Sequence, residues 1–224
     1  MAGDKRYCVL RGIFDALFVF VHLKMARKMD KAESNTGYSD LQALFLASRD
    51  GCGEGWIVEI GAYKGRSTIA LAAGSIARGR GKVLSVDPHE EGTLQDFRNN
   101  IERSRVESHV RAVIATSQEA RRGFDKPVRL LFIDALHDYD SVKQDIELWK
   151  GLVIEGGIIA FHDYNYPSVR RAVSELTGTG EYILEAETGC SVFVSKAKSV
   201  NHDLFCAIRL FNRMKNFFLF RRVS

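Results

Sequence analysis

The apolar positions of this chain alternate between short continuous runs and helical spacings. Continuous runs predict buried strands at 56–60, 82–86, 110–114, 129–133 and 157–161, and helical spacings predict helices at 40–49, 67–77, 94–103, 117–122 and 141–150. Strands that alternate with helices indicate a parallel sheet covered on both faces. The pattern then changes to two strand-like runs, 182–186 and 191–194, joined by a short turn. We therefore expect an α/β fold whose seven-stranded, mostly parallel sheet ends in an antiparallel hairpin.

Both ends of the chain show amphipathic patterns. The apolar stretch 13–23 is interrupted by Asp15 and is shorter than the roughly 20 residues that a membrane span needs, so we expect an amphipathic helix. The last twenty or so residues mix aromatic side chains with Arg and Lys, which predicts a basic amphipathic helix that packs on the domain, joins a homo-oligomer or lies on an anionic membrane. We divide the chain into N-terminal helices (1–50), a central domain (51–197) and this C-terminal helix (198–224).

Composition narrows the class of protein. The 224 residues carry a net charge of only +4, with no long basic block before the tail, so charge does not predict nucleic-acid binding. The four cysteines are far apart and form no C-x-x-C pair, which argues against a metal knuckle or a disulfide framework. Reduced thiols predict a cytoplasmic protein, with peripheral membrane contact as an alternative through the tail.

A glycine loop follows the first predicted strand in the sequence VEIGAYKGRST. Gly61 and Gly65 allow a sharp turn and close approach of a ligand. Their G-x-x-x-G spacing differs from the G-x-G-x-x-G that places a pyrophosphate on a helix N-terminus, which counts against a nicotinamide cofactor. Glu59 suits a cationic amino group better than a phosphate. Taken alone, the loop could equally be an ordinary strand-to-helix turn.

The next two strand ends add candidate ligands for a nucleoside. The second strand ends at Asp87, which can accept hydrogen bonds from ribose hydroxyls. The third leads into Ser117 and Gln118, which could bond an adenine edge, although a helix cap is the simpler interpretation. Because ligands of open α/β sheets bind at the carboxyl ends of the strands, these positions should lie close together.

Ionisable side chains follow the fourth and fifth strands. Asp134 and His137 come after the fourth, and His162 and Asp163 after the fifth. A lone histidine at a strand end is more often structural than catalytic. Two histidines and two aspartates at one sheet edge, however, indicate a reactive site.

At these positions the chain resembles a known family. The matching runs are VEIGAYKGRSTIALA, VLSVDPHE, LLFIDALHDYDSVKQDIELW and GGIIAFHDY. They are similar to class I S-adenosylmethionine (SAM)-dependent methyltransferases of the bacterial family that contains cephalosporin hydroxylase-like and macrolide sugar O-methyltransferase-like proteins. The resemblance implies a Rossmann-like methyltransferase fold, with residues 51–197 as the SAM-binding domain.

The resemblance also implies a set of site residues. The residues expected to bind SAM are Glu59, Gly61, Ala62, Tyr63, Gly65, Ser67, Asp87, Ser117, Gln118 and Asp134. A divalent metal, magnesium or manganese, would be held by Asp134, His162 and Asp163. Relatives with such a site usually place oxygen ligands at the last two positions, and the imidazole of His162 shifts the preference from magnesium toward manganese, iron or zinc.

The implied chemistry is methyl transfer to a hydroxyl of a sugar, a glycan or another small natural product. A hydroxyl is a poor nucleophile at neutral pH and needs a metal or a base. We predict His137 as the base, because an unperturbed histidine with a pKa near 6.5 is mostly neutral at pH 7. His162 is the rival base, and Asp134 completes the predicted catalytic set.

Three other functions remain open from the sequence. A nicotinamide-dependent oxidoreductase is opposed by the glycine spacing. A non-haem iron hydroxylase could use two histidines and a carboxylate, but it would leave the glycine loop unexplained. A non-catalytic protein could bind SAM without transferring its methyl group.

Overall fold

The computed structural model describes residues 36–196 and 204–209. The helices are α1 Tyr38–Asp50, α2 Arg66–Arg78, α3 Leu94–Arg103, α4 Ser117–Arg122, α5 Tyr139–Trp149 and α6 Pro167–Gly178. The strands are β1 Trp56–Ile60, β2 Val83–Val86, β3 Val110–Val113, β4 Val128–Ile133, β5 Val153–Phe161, β6 Tyr182–Thr188 and β7 Ser191–Lys196. Single 3₁₀ turns at Glu107–His109 and Lys150–Leu152 precede β3 and β5, and residues 204–209 are helical.

The strands form one sheet in the order β3-β2-β1-β4-β5-β7-β6. The first five are parallel, and β7 runs antiparallel to both β5 and β6. After β1 the chain moves outward to β2 and β3, and then returns to place β4 on the other side of β1. The loops that follow β1 and β4 therefore diverge and leave a crevice between them, as expected at a topological switch point.

Both faces of the sheet are covered by apolar side chains. Helices α1, α2 and α3 pack on one face, where Phe45, Leu71 and Phe97 join strand residues such as Phe132. Helices α4, α5 and α6 contribute to the core on the other face, which includes the fully buried Trp149. Burial on both faces explains why the parallel strands are apolar throughout rather than alternating.

The predicted fold is confirmed, with two differences in its elements. Strand β5 begins four residues earlier than predicted, at Val153, because exposed Glu155 and the following glycine interrupt its apolar run. Helix α6 was missed. Its signal was present in Pro167 at the first helical position and in the buried Val169 and Val173, four residues apart.

The ends of the chain are described only in part. The helix predicted at 13–23 lies outside the described residues, as does the tail beyond 209. Within 204–209, the side chains of Leu204, Phe205 and Ile208 are buried in the core beside α1 and α2. These three apolar residues of the predicted C-terminal helix are therefore packed against the domain. Among the described residues, no helix is both long and apolar enough to cross a membrane.

Candidate active site

A cavity of about 810 Å³ opens at the carboxyl ends of the parallel strands. The predicted site residues that line it are Gly61, Ala62, Tyr63, Ser67, Asp87, Ser117, Gln118, Asp134, His137, His162 and Asp163. Two predicted cofactor ligands, Glu59 and Gly65, are not among the lining residues. Five strand ends thus supply one continuous site.

The glycine loop lies close to the loop after β4. Gly61 has a φ of 88°, and a Cβ at this position would overlap the carbonyl oxygen of Asp134. The loop is also tied to β2, because the backbone N–H groups of Ala62 and Tyr63 donate to Asp87 Oδ2 at 2.8 and 2.7 Å. The loop is therefore shaped by contacts with both neighbouring strand ends.

Asp87 is engaged more heavily than the sequence predicted. In addition to the two loop bonds, its Oδ1 accepts from the backbone N–H of His89 at 2.6 Å. A carboxylate has about four lone-pair positions, so roughly one remains for a ribose hydroxyl. The ribose contact stays a prediction, and Asp87 has a second function as the anchor of the glycine loop.

Gly65 lies outside the cavity lining. It precedes α2 in the left-handed conformation, with a φ of 84°. A Cβ there would lie 3.0 Å from the ring of Phe97 rather than in the cavity. Gly65 thus serves the turn and its packing against α3, and its contact with a cofactor stays a prediction.

The side chain of Glu59 is wholly buried behind the loop. Its Oε2 accepts from the hydroxyls of Thr68 at 2.5 Å and Ser85 at 2.8 Å, while Oε1 has no hydrogen-bond partner. Burial raises the pKa of Glu59 to about 7, and the neighbouring hydroxyls only partly oppose the shift. No surface of Glu59 reaches the cavity in this structure, so its contact with a cofactor stays a prediction.

A histidine and carboxylate cluster forms where β4 and β5 end side by side. The register pairs Ile133 with Phe161, so the residues that follow them meet. His162 Nδ1 lies 2.9 Å from Asp163 Oδ2 and 3.2 Å from Asp134 Oδ1. Burial lowers the pKa of His162, but the hydrogen bonds and charges of the two carboxylates outweigh it and raise the pKa to about 9.

The same cluster contains three side chains that could hold a metal ion. One ligand atom from each of Asp134, His162 and Asp163 lies within 4.8 Å of the others. Metal–ligand bonds of about 2.0–2.2 Å place neighbouring ligands about 3 Å apart, close to the separations of His162 Nδ1 from the two carboxylates. The donor set fits as well, since it combines two hard carboxylates with an imidazole nitrogen.

His137 lies at the exposed side of this cluster. Its Nε2 is 2.6 Å from Asp163 Oδ2, and 43% of its side chain is exposed. The ring stacks on Tyr166, with centroids 5.2 Å apart and planes at 13°, and the Ser168 hydroxyl donates to the His137 carbonyl. Because Asp163 occupies Nε2, Nδ1 is the nitrogen left to accept a proton.

The cavity also contains residues that the sequence did not single out. Asp145 on α5 is 7% exposed and lines the cavity near Ser117. His89 lines it as well, and its Nδ1 lies 2.8 Å from the Thr93 hydroxyl. Asp145 lies within a helix, so its position in the chain gave no signal for it, whereas His89 stands three residues after β2 and so had the same positional signal as His137.

Comparison with known proteins agrees with this architecture. Residues 58–164 match a family model described as a methyltransferase domain. The matched segment is slightly less than half of the chain, and it is similar in sequence to methyltransferase domains. The match spans the glycine loop, Asp87, and the whole histidine and carboxylate cluster, which are the motifs that suggested the family.

Solved structures resemble the methyltransferase domain in fold. The O-methyltransferase TomG from Streptomyces achromogenes, in complex with SAM, is 16% identical, with 89% of this chain and 100% of that chain covered and a TM-score of 0.61. An O-methyltransferase from Bacillus cereus in complex with SAH is 20% identical, with coverages of 81% and 90% and a TM-score of 0.59. At these identities the likeness confirms the Rossmann-like methyltransferase fold.

Proposed function

We propose that this methyltransferase domain uses SAM to methylate a hydroxyl oxygen of a small molecule. The observation that carries the proposal is the 2.6 Å contact between His137 Nε2 and Asp163 in the cavity that also contains the glycine loop. This geometry supports the proposal because the predicted base and the predicted cofactor loop line the same cavity. SAM and SAH in the similarly folded O-methyltransferases are consistent with it.

The proposed step balances as a direct displacement. Bound SAM supplies an electrophilic methyl group, whose bond to sulfur breaks with the electron pair kept by sulfur while the acceptor oxygen forms the new C–O bond. His137 Nδ1 takes the hydroxyl proton. Asp163 accepts the hydrogen bond from Nε2–H and stabilises the imidazolium that results. Positioning both reactants in one cavity supplies further rate, on the order of 7 to 11 kcal/mol in favourable cases.

Asp134, His162 and Asp163 would hold a divalent metal in this proposal. Such an ion would stabilise the acceptor as an alkoxide and lessen the need for a base. The imidazole favours manganese over magnesium at this site. The alternatives with a nicotinamide or an iron-dependent hydroxylation find no support in the family match.

The proposal is tested by transfer of a labelled methyl group from SAM into fractions of a cell extract. We expect label in an ether linkage, with glycan and non-glycan fractions separating the sugar acceptors predicted from sequence from other small molecules. Label on nitrogen or sulfur, or no label in any fraction from a protein that binds SAM, would contradict O-methylation. Activity that is lost with chelator and restored by manganese supports the metal, and activity that chelator leaves intact assigns the proton transfer to His137 alone.

A further inference from the structure

Arg129 is a buried cation at the amino end of the sheet, at the edge opposite to the cavity. It is the second residue of β4, and its side chain is fully buried. In the part of the chain that the structure describes, none of its three guanidinium nitrogens has a hydrogen-bond partner. Burial lowers the pKa of Arg129 to about 10, and the charge of Arg80 adds to the effect, so the guanidinium is still charged at neutral pH. A buried charge without a partner is costly, because it loses its water without replacement.

A β-bulge sets the direction of this side chain. Two consecutive residues of β1 pair with Val128 and Leu130, so Arg129 between them is the extra residue of β4. Such a bulge turns a side chain out of the regular alternation of its strand. The Nε and Nη2 atoms of Arg129 lie 3.3 and 3.5 Å from the position that a Cβ would take at Gly81. The guanidinium therefore lies beneath the turn between α2 and β2.

Arg80, in the same turn, is the second cation of this region. Its guanidinium donates to the carbonyl oxygens of Gly51 and Gly53, so it lies against the loop 51–55. Its Nε is buried and finds no acceptor among the described residues. The Ser75 hydroxyl holds the turn in place, at 2.7 and 2.9 Å from the carbonyl oxygens of Arg80 and Gly81. Two neighbouring arginines thus have unpaired N–H groups in one region.

The carboxylate near this region does not neutralise Arg129. Glu54 Oε1 lies 3.5 Å from Nη1 of Arg80, and 79% of the Glu54 side chain is exposed. The cover over Arg129 is thin, since Gly55 and Gly81 are only half-buried. The loop 51–55 contains three glycines, which ease a local movement of its backbone. A small anion can therefore reach the two arginines without disturbing the core.

We propose that the region bounded by Arg129, Arg80 and the loop 51–55 binds a tetrahedral inorganic oxyanion, phosphate or sulfate. The oxygens of such an ion accept the paired N–H groups of an arginine fork, and its negative charge offsets the two guanidinium charges. The site is independent of the proposed use of SAM. Arg129 precedes Asp134 by five residues along the chain, so the two lie about 16 Å apart at opposite ends of β4.

Thermal unfolding of the full chain in different salts tests this proposal. Phosphate, sulfate and chloride are compared at an ionic strength held constant with gluconate, an anion too bulky for the enclosed region. At a phosphate concentration of about one hundred times the dissociation constant, we expect the Tm of the wild-type protein to rise by about 5 to 10 °C. Arg129→Met should keep only the small rise that phosphate gives any protein from whose surface it is excluded.

The order of the two Tm values provides a second readout. In gluconate, Arg129→Met should unfold at a temperature no lower than the wild type, because methionine removes an unpaired buried charge and fills a similar space. In phosphate, the wild type should unfold at the higher temperature. A Tm that is lower in Arg129→Met by the same amount in every salt would show that a side chain such as Glu54 neutralises Arg129, and would overturn the proposal.

Arg122→Met is the matched control, because it makes the same change at an exposed arginine of α4. It should respond to phosphate as the wild type does. Chloride that raises the wild-type Tm as much as phosphate would overturn the assignment to an oxyanion.

Calorimetric titration of the wild-type protein with phosphate decides the matter even if Arg129→Met does not fold. One-to-one binding that is weakened at least tenfold in Arg80→Gln supports the site. Binding that Arg80→Gln leaves unchanged, or no binding by the wild type, would overturn the proposal.

Discussion

Glu59 is a buried acid whose protonation state affects the stability of the fold, although its side chain has no surface in the cavity. Its carboxylate lies between β1, β2 and α2, hydrogen-bonded to Thr68 and Ser85, with no exposed surface. Burial disfavours the charged form and raises its pKa to about 7. The native protein therefore binds a proton more tightly at Glu59 than the unfolded chain, whose glutamate pKa is about 4.5.

We expect Glu59 to make the free energy of unfolding fall as pH rises. The stabilisation that protonated Glu59 gives the folded state is fully present below pH 4.5. It is lost as the pH rises from 4.5 through about 7, because ionisation costs the folded state more free energy than the unfolded one. The loss should be on the order of 2 to 3 kcal/mol. Glu59→Gln should flatten this dependence in urea unfolding at pH 5 and pH 8, and identical pH dependence in the two proteins would contradict this assignment.

His137 is the residue on which the proposed proton transfer depends. Replacing it by glutamine keeps a polar side chain but removes the base, so kcat should fall by about 10² to 10⁴ with SAM affinity unchanged. Single-turnover transfer to the acceptor found in the extract measures the effect. His109→Gln, outside the cavity, serves as the control and should leave kcat unchanged. An unchanged kcat in His137→Gln would show that His137 is not the general base.

At the scale of elements, the site depends on how closely the loops after β1 and β4 approach. Gly61→Ala would force a Cβ against the carbonyl of Asp134, whereas Gly180, with a φ of 74°, has nothing within 4 Å of its Cβ position. Alanine strains the backbone at both sites, by roughly 1 kcal/mol. Only Gly61→Ala should weaken SAM binding, by about tenfold or more, because only there must the loop shift to make room for the Cβ. Equal SAM affinities in the two variants would show that the approach is unimportant.

The elements themselves could largely be predicted from sequence. Strands buried on both faces form continuous apolar runs, and α3 and α4 begin and end where helical spacing placed them. Helix α6 was not predicted because its apolar pattern is weak, with only four buried residues among polar ones. Position after a strand likewise predicted Asp134, His162 and Asp163, since parallel strands bring their ends to one edge.

The remaining features of the site depend on tertiary contacts that spacing does not encode. The stacking of His137 on Tyr166 joins residues 29 positions apart in the chain, and Asp145 reaches the cavity from the second turn of a helix. Glu59 and Gly65 were assigned by motif, but the direction of a side chain behind a loop is set by packing. The sequence therefore indicated where the site and its reactive groups lie, but it did not distinguish residues that line the cavity from residues that support the glycine loop.

At the scale of the whole molecule, both described ends of the chain return to one face of the sheet. Helix α1 packs against α2, and Leu204, Phe205 and Ile208 join the same core. Arg209 fixes this segment further by donating to the Glu185 carbonyl on β6. The described start of the predicted C-terminal helix thus packs on the domain.

The central claim is that the cavity at the strand ends is a SAM site, and calorimetric titration of the full chain tests it most directly. We predict saturable one-to-one binding of SAM and SAH, with no binding of NADH, because the glycine spacing and Asp87 suit a nucleoside without a pyrophosphate. Binding of NADH without binding of SAM or SAH would contradict the account.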